Sequence, residues 1–132
     1  MSLLSASDIA KLIRDAGDRT QDRVLVLFGD KDGRYMSQTY LASHTDPNEL
    51  VSRREIFREC VRREAAGFVV VVDHRDPFVA CRPRDDMFSG SDMQTAVSMI
   101  YSASRILGFR MIDLVIYRDR KIYSARRNGL CR

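Results

Sequence analysis

The chain has few cysteines, few histidines and no long apolar run, and each shortage narrows what it can be. Its three cysteines, Cys60, Cys81 and Cys131, are far apart and form no CxxC pair. That spacing argues against a disulfide framework and against a thiolate zinc site, and leaves reduced structural thiols. No stretch approaches the roughly 20 apolar residues of a membrane span. The N-terminal apolar pattern is broken by Asp8 and Lys11 where a signal peptide keeps an uninterrupted apolar core. A cytoplasmic protein without membrane contact is therefore expected. Internal repeats and low-complexity segments are also missing. The net charge is only +4, carried by Arg rather than Lys, a weak lean toward an anionic partner.

What is present is enough apolar material for one core. With 132 residues, 45% of them hydrophobic, the chain suits a single domain rather than two. Ser5, Asp8 and the spacing of Ile9, Leu12 and Ile13 predict a capped amphipathic helix ending near Gly17. VLVLF at 24–28 is a continuous apolar run, the pattern of a strand covered on both faces. Asp30 to Gly33 forms a turn and 34–42 a second strand beside the first.

Pro47 and Asn48 mark a loop. From Leu50 to Ala66 the positions Ile56, Phe57, Cys60 and Val61 predict a second helix, with Arg54, Arg58 and Arg62 on another face and Gly67 as its end. FVVVVD at 68–73 reads as a second buried strand. A polar loop from His74 to Phe88 follows. A third helix starts near Ser89 or Ser91, carries Val97, Ile100, Tyr101, Ser104 and Leu107 on one face, and is capped by Gly108. Strands at 111–117 and 121–126 form a closing hairpin around Arg118 to Arg120. The expected fold class is α/β, a mixed β-sheet flanked by helices.

The wording REIFREC at 54–60, AAGFVVVV at 65–72, LGFRMIDLVIY at 107–117 and KIYS at 121–124 resembles the RadC-like branch of the JAB/MPN (JAMM) domains, from about Arg23 to Arg127. The resemblance implies the JAB/MPN, cytidine-deaminase-like architecture. It also frames residues 1–132 as a single such domain, without the N-terminal helix-hairpin-helix region that full-length relatives carry.

Active members of that family have the motif His-x-His-Pro, a spacer and Ser-x-x-Asp, with a Glu from an early strand. Two imidazoles and a carboxylate there hold zinc and leave a position for water. Ser89 to Asp92 fits Ser-x-x-Asp, and also fits an N-cap followed by a first-turn acid. Two registers of the histidine motif fit the chain. One leaves His74 and Asp92 as ligands; the other aligns His74-Arg75-Asp76-Pro77 and gives His74, Asp76 and Asp92. The resemblance assigns Ser89 to oxyanion stabilisation, and the early-strand Glu falls nearest Gln38 and Thr39. Gln38 can orient a water but cannot take its proton. Glu49 and Glu55 are the nearest alternatives, with Glu55 better suited to a solvated or capping role; His44, alone in a polar loop, reads as a surface residue rather than a ligand.

The favoured function is a RadC-like JAB domain whose metal motif is degenerate and which acts by binding, with a protein partner and no cofactor. Its competitor is a zinc-dependent metallohydrolase of peptide or isopeptide bonds with an altered site. A further reading is a DNA-associated protein, from Arg53, Arg54, Arg58, Arg62 and Arg63 and from Arg118, Arg120, Lys121, Arg126 and Arg127. Glu55, Glu59 and Glu64 interleave the first of these clusters, so i,i+4 pairing on a solvated face explains it equally well. Unpaired strand edges leave homo-oligomerisation open.

Overall fold

A computed structural model describes residues 1–17, 23–42, 50–73, 88, 91–118 and 121–131, with Arg23, Ser91 and Asp92 described by backbone alone. Elements follow in the order α1 (Ala6–Asp15), β1 (Arg23–Gly29), β2 (Tyr35–Ala42), α2 (Arg53–Arg62), β3 (Gly67–Asp73), α3 (Ser91–Leu107), β4 (Arg110–Arg118) and β5 (Lys121–Ser124). One five-stranded sheet runs β2-β1-β3-β4-β5. Its β3–β4 pair is parallel and the other pairs are antiparallel. This is the expected mixed α/β architecture, consistent with a JAB/MPN-like fold. The loop at Pro47 and Asn48 and most of the turn between β4 and β5 lie outside the described residues.

The two uninterrupted apolar runs became β1 and β3, two of the three inner strands, with both of their faces covered. Val24, Val26, Phe28, Val70 and Val72 pack with α2 and α3, while Leu25, Leu27, Val69 and Val71 pack with α1. A strand's side chains alternate between faces, so a run with no polar position suits only a strand buried on both.

Helix ends follow local chemistry. Ser5 Oγ accepts the Asp8 N–H at 3.3 Å and Ser52 Oγ accepts the Glu55 N–H at 3.3 Å, each satisfying an orphan donor of a first turn. Glu55 thus stands in the acidic first turn of a helix capped by Ser52. The end of α2 lies earlier than Gly67. Glu64 takes a left-handed conformation at φ 54°, with its N–H on Val61 O and the Ala65 N–H on Cys60 O, a Schellman closure. Gly67 instead opens β3, where a Cβ would meet Arg110 O at 2.8 Å. Its absent side chain lets β3 and β4 approach.

Three other expectations are corrected. Val61 is 67% exposed and Leu107 55% exposed, so neither belongs to its helix's buried face; Met93 and Ala96 complete that of α3 instead. The last strand stops at Ser124, after which residues 125–129 turn. Cys60 and Cys131 are free and buried, in keeping with structural thiols. Burial, with Glu59 adding to it, pushes the Cys60 thiol up to about 12. Cys81 lies outside the described residues.

Candidate functional site

The segment from His74 to Gly90 joins the end of an inner strand to the start of a packed helix. Asp73, buried at the end of β3, precedes it. Phe88 is buried in the core that α3 helps to close, and its carbonyl accepts from Gln94 Nε2 at 3.0 Å. Met93, in the first turn of α3, is fully buried in the same core as Val70 and Val72. This core ties the start of α3 to the sheet face shared by β3. His74, Asp76 and Ser89 lie outside the described residues, as do His44 and Glu49. Asp92 is the second residue of α3, described by its backbone. Among the described residues, no cluster of three or more His, Cys, Asp or Glu side chains is arranged to hold a metal.

Gln38 is the candidate whose surroundings are fully described. It pairs with Leu27 across the β1–β2 ladder, while Thr39 pairs with Val26. Directly opposed residues share a face. Gln38 therefore sits on the α1 face with Leu27, and Thr39 on the α2–α3 face with Val26. Gln38 Oε1 accepts from Tyr35 OH at 3.0 Å, and its carbonyl accepts from Arg63 Nη1 at 3.3 Å. β2, the strand YMSQTYLA, carries no carboxylate.

Arg63 ties the end of α2 to this outer strand. Its Nη1 also donates to Ser37 Oγ at 2.9 Å, its Nε donates to Glu59 Oε2 at 3.2 Å, and its guanidinium lies 4.9 Å from the Phe28 ring centre. Arg62 reaches the same Glu59 at 3.5 Å. Two arginines of the basic helix thus have partners within the fold.

Asp113 is a buried polar centre to which the sequence reading assigned no role. It accepts the Leu114 N–H at 2.7 Å, the Arg126 N–H at 3.0 Å and the Ser124 hydroxyl. Burial pushes its carboxyl above the ordinary carboxylate value, against the opposing pull of those hydrogen bonds and of Arg126. Burial, then the nearby Asp113, pushes the Cys131 thiol up to about 11. The available signal was a lone acid inside the apolar run MIDLVIY, since a buried carboxylate needs several donors.

How Asp113 reaches its place depends on a register shift. Phe68 pairs with Met111 and Val69 with Asp113, leaving Ile112 as an extra residue in β4. The irregularity turns Ile112 and Asp113 both toward the α1 face, where Ile112 packs with Val69 and Asp113 borders a cavity with Leu3 and Ile9.

The family model for the RadC-like JAB domain matches residues 3–130. A UPF0758 protein of Clostridium perfringens is 25% identical over 125 residues, covering 94% of this chain and 52% of its own. One from Desulforamulus reducens is 23% identical, covering 93% of this chain and 51% of its own. One from Thermotoga maritima is 26% identical, covering 80% of this chain and 44% of its own. The chain spans about half the length of these curated relatives. No described helix is long and apolar enough to cross a membrane. With the match running through every described helix and strand, the chain belongs to the RadC-like JAB domain family.

Proposed function

We propose that this domain acts by binding a protein partner rather than by zinc hydrolysis. The observation that carries the reading is the chemistry of β2. The family resemblance takes the general base from an early strand, and this strand offers Gln38 and Thr39 but no carboxylate. Gln38 lies on the α1 face with its amide oxygen taken by Tyr35 OH, and neither that amide nor the Thr39 hydroxyl on the α2–α3 face takes a proton from water.

The competing reading keeps a metal. By residue type His74, Asp76 and Asp92 are donors suited to zinc, with Ser89 as the hydroxyl of the motif, and a zinc ion held by them would supply Lewis acidity. Asp76 in place of the second imidazole would add one negative charge to the ligand set, which would make a water on the ion less acidic.

Zinc affinity, measured by competition with a chromophoric chelator alongside turnover of peptide and isopeptide substrates, separates the two. The expected result is no zinc held at micromolar affinity and no turnover. One zinc per chain, lost in His74→Ala and Asp92→Asn and accompanied by turnover that falls in Ser89→Ala, would replace the binding reading with the hydrolase.

Nucleic-acid association is the weaker reading, because Arg62 and Arg63 are engaged with Glu59 while Arg54 and Arg58 remain exposed. Retention of DNA fragments that falls steeply with salt would establish it.

A further inference from the structure

A cavity beside Asp113 has a lining unlike anything the metal motif implies. It lies between the first turn of α1 and strands β4 and β5, with a volume of about 320 Å³, within the range of roughly 300–1,000 Å³ that takes small molecules. Leu3, Ile9, Val115 and Ile122 give it an apolar lining. Leu4, also at the cavity, is 46% exposed, and covering an apolar side chain of this kind is favourable.

The cavity is also bordered by two exposed arginines, Arg126 and Arg127, of which Arg126 already acts electrostatically on Asp113. Neither guanidinium has an ion-pair partner among the described residues. The Asp113 carboxylate accepts from Ser124 and from two backbone N–H groups. Ala6, the first residue of α1, also borders the cavity, and the partial positive charge of a helix start has the same sign as the arginines. Asp8 in that turn has its Oδ2 on the Ser2 N–H.

A cavity lined by Leu3, Ile9, Val115 and Ile122 together with two arginines that have no ion pair within 4 Å among the described residues matches a molecule with an apolar body and an anionic head. We propose that this cavity binds a small amphipathic anion, a short alkyl or aryl carboxylate or phosphate ester. Its apolar part lies against Leu3, Ile9 and Ile122 and its anionic group against Arg126 and Arg127. The site is on the α1 face, whereas α3 packs on the other, so it stands or falls independently of the zinc question.

The test is an amide-resolved NMR titration of the full chain with hexanoate and hexyl phosphate, with hexylammonium and inorganic phosphate as controls. Saturable shifts at Ala6, Ile122 and Arg126 with either amphipathic anion are expected. Arg126→Ala/Arg127→Ala should weaken binding by about tenfold or more, as loss of charge-assisted hydrogen bonds does. Ala6→Phe, which fills the space from a half-buried position, should abolish it while the spectrum keeps its native dispersion. The proposal is overturned by no saturable shift with either anion, by an equal response to hexylammonium, by inorganic phosphate binding as tightly as the esters, or by arginine variants that bind unchanged.

Discussion

On one face of the sheet α2 and α3 close over Val26, Phe28, Val70 and Leu114, and Phe57 meets Phe68 edge-on at 5.9 Å and Phe109 in a stack at 6.0 Å. On the other, the ten residues of α1 cover Leu25, Leu27, Val69 and Val71 and leave a cavity next to Asp113. The two-helix face buries one polar side chain of α3, Ser104, whose hydroxyl is satisfied by Tyr101 O. A single short helix leaves a gap, and this chain fills the border of that gap with a carboxylate, a hydroxyl and two arginines. The two-helix face carries the larger apolar cluster, and the α1 face sets its charged and hydroxyl groups around the cavity beside Asp113.

Truncating equivalent side chains on the two faces gives the largest effect. Ile56 is fully buried between α2 and the sheet, whereas Ile9 borders the cavity. Within the roughly 2–5 kcal/mol span of such truncations, Ile56→Ala should cost about 4 and Ile9→Ala about 2, because α1 can shift to close a void. Urea unfolding at constant m-value reads both. Equal costs would remove the distinction between the faces.

Asp113→Ala should come next, at about 2–3 kcal/mol, since it strands the Arg126 and Leu114 N–H groups. Asp113→Asn keeps an acceptor for them and isolates the charge. Because burial raises the Asp113 pKa, the native state holds that proton more tightly than the unfolded chain. The stability this supplies is fully present below the ordinary carboxylate value of about 4 and is lost as pH rises through the raised native value. The wild type should lose stability relative to Asp113→Asn over that rise, which denaturation at a series of pH values would show. An opposite slope would mean that the hydrogen bonds outweigh burial.

Gly67→Ala tests the approach of β3 and β4 that accompanies the turn of Asp113 toward α1. A Cβ 2.8 Å from Arg110 O and 3.2 Å from Ile112 Cδ1 must push β4 aside, at about 1–3 kcal/mol. Amide shifts should spread from Arg110 to Leu114. The smallest change should be a gain on the two-helix face: Glu64→Gly relieves a left-handed non-glycine residue at the end of α2. It should raise the unfolding midpoint by an amount equivalent to about 1 kcal/mol. Gly108 already fills the corresponding place after α3.

Much of this fold was legible because its signals are local. The runs at 24–28 and 68–73 announce strands buried on both faces, and Ser5 and Gly108 announce helix ends. Gly67 misled because Glu64 accepts the left-handed conformation that a glycine would take more easily. Val61 and Leu107 misled because helical spacing places a residue on a stripe but not the width of the stripe its neighbours cover. Of the candidate site, the family wording named His74, Asp76, Ser89 and Asp92, and the structure describes only the backbone start of α3 among them.

The sequence by itself determined the element order, two of the three inner strands and the family, since period, capping and wording depend on neighbours a few residues apart. Only the tertiary structure decided that Gln38 and Thr39 look to opposite faces, that Asp113 turns toward α1 through an extra residue in β4, and that Arg126 and Arg127 border a cavity with the first turn of α1. The physical reason is that a strand shows which of its residues alternate, whereas the face each takes is set by pairing register with another strand, and one added residue reverses it.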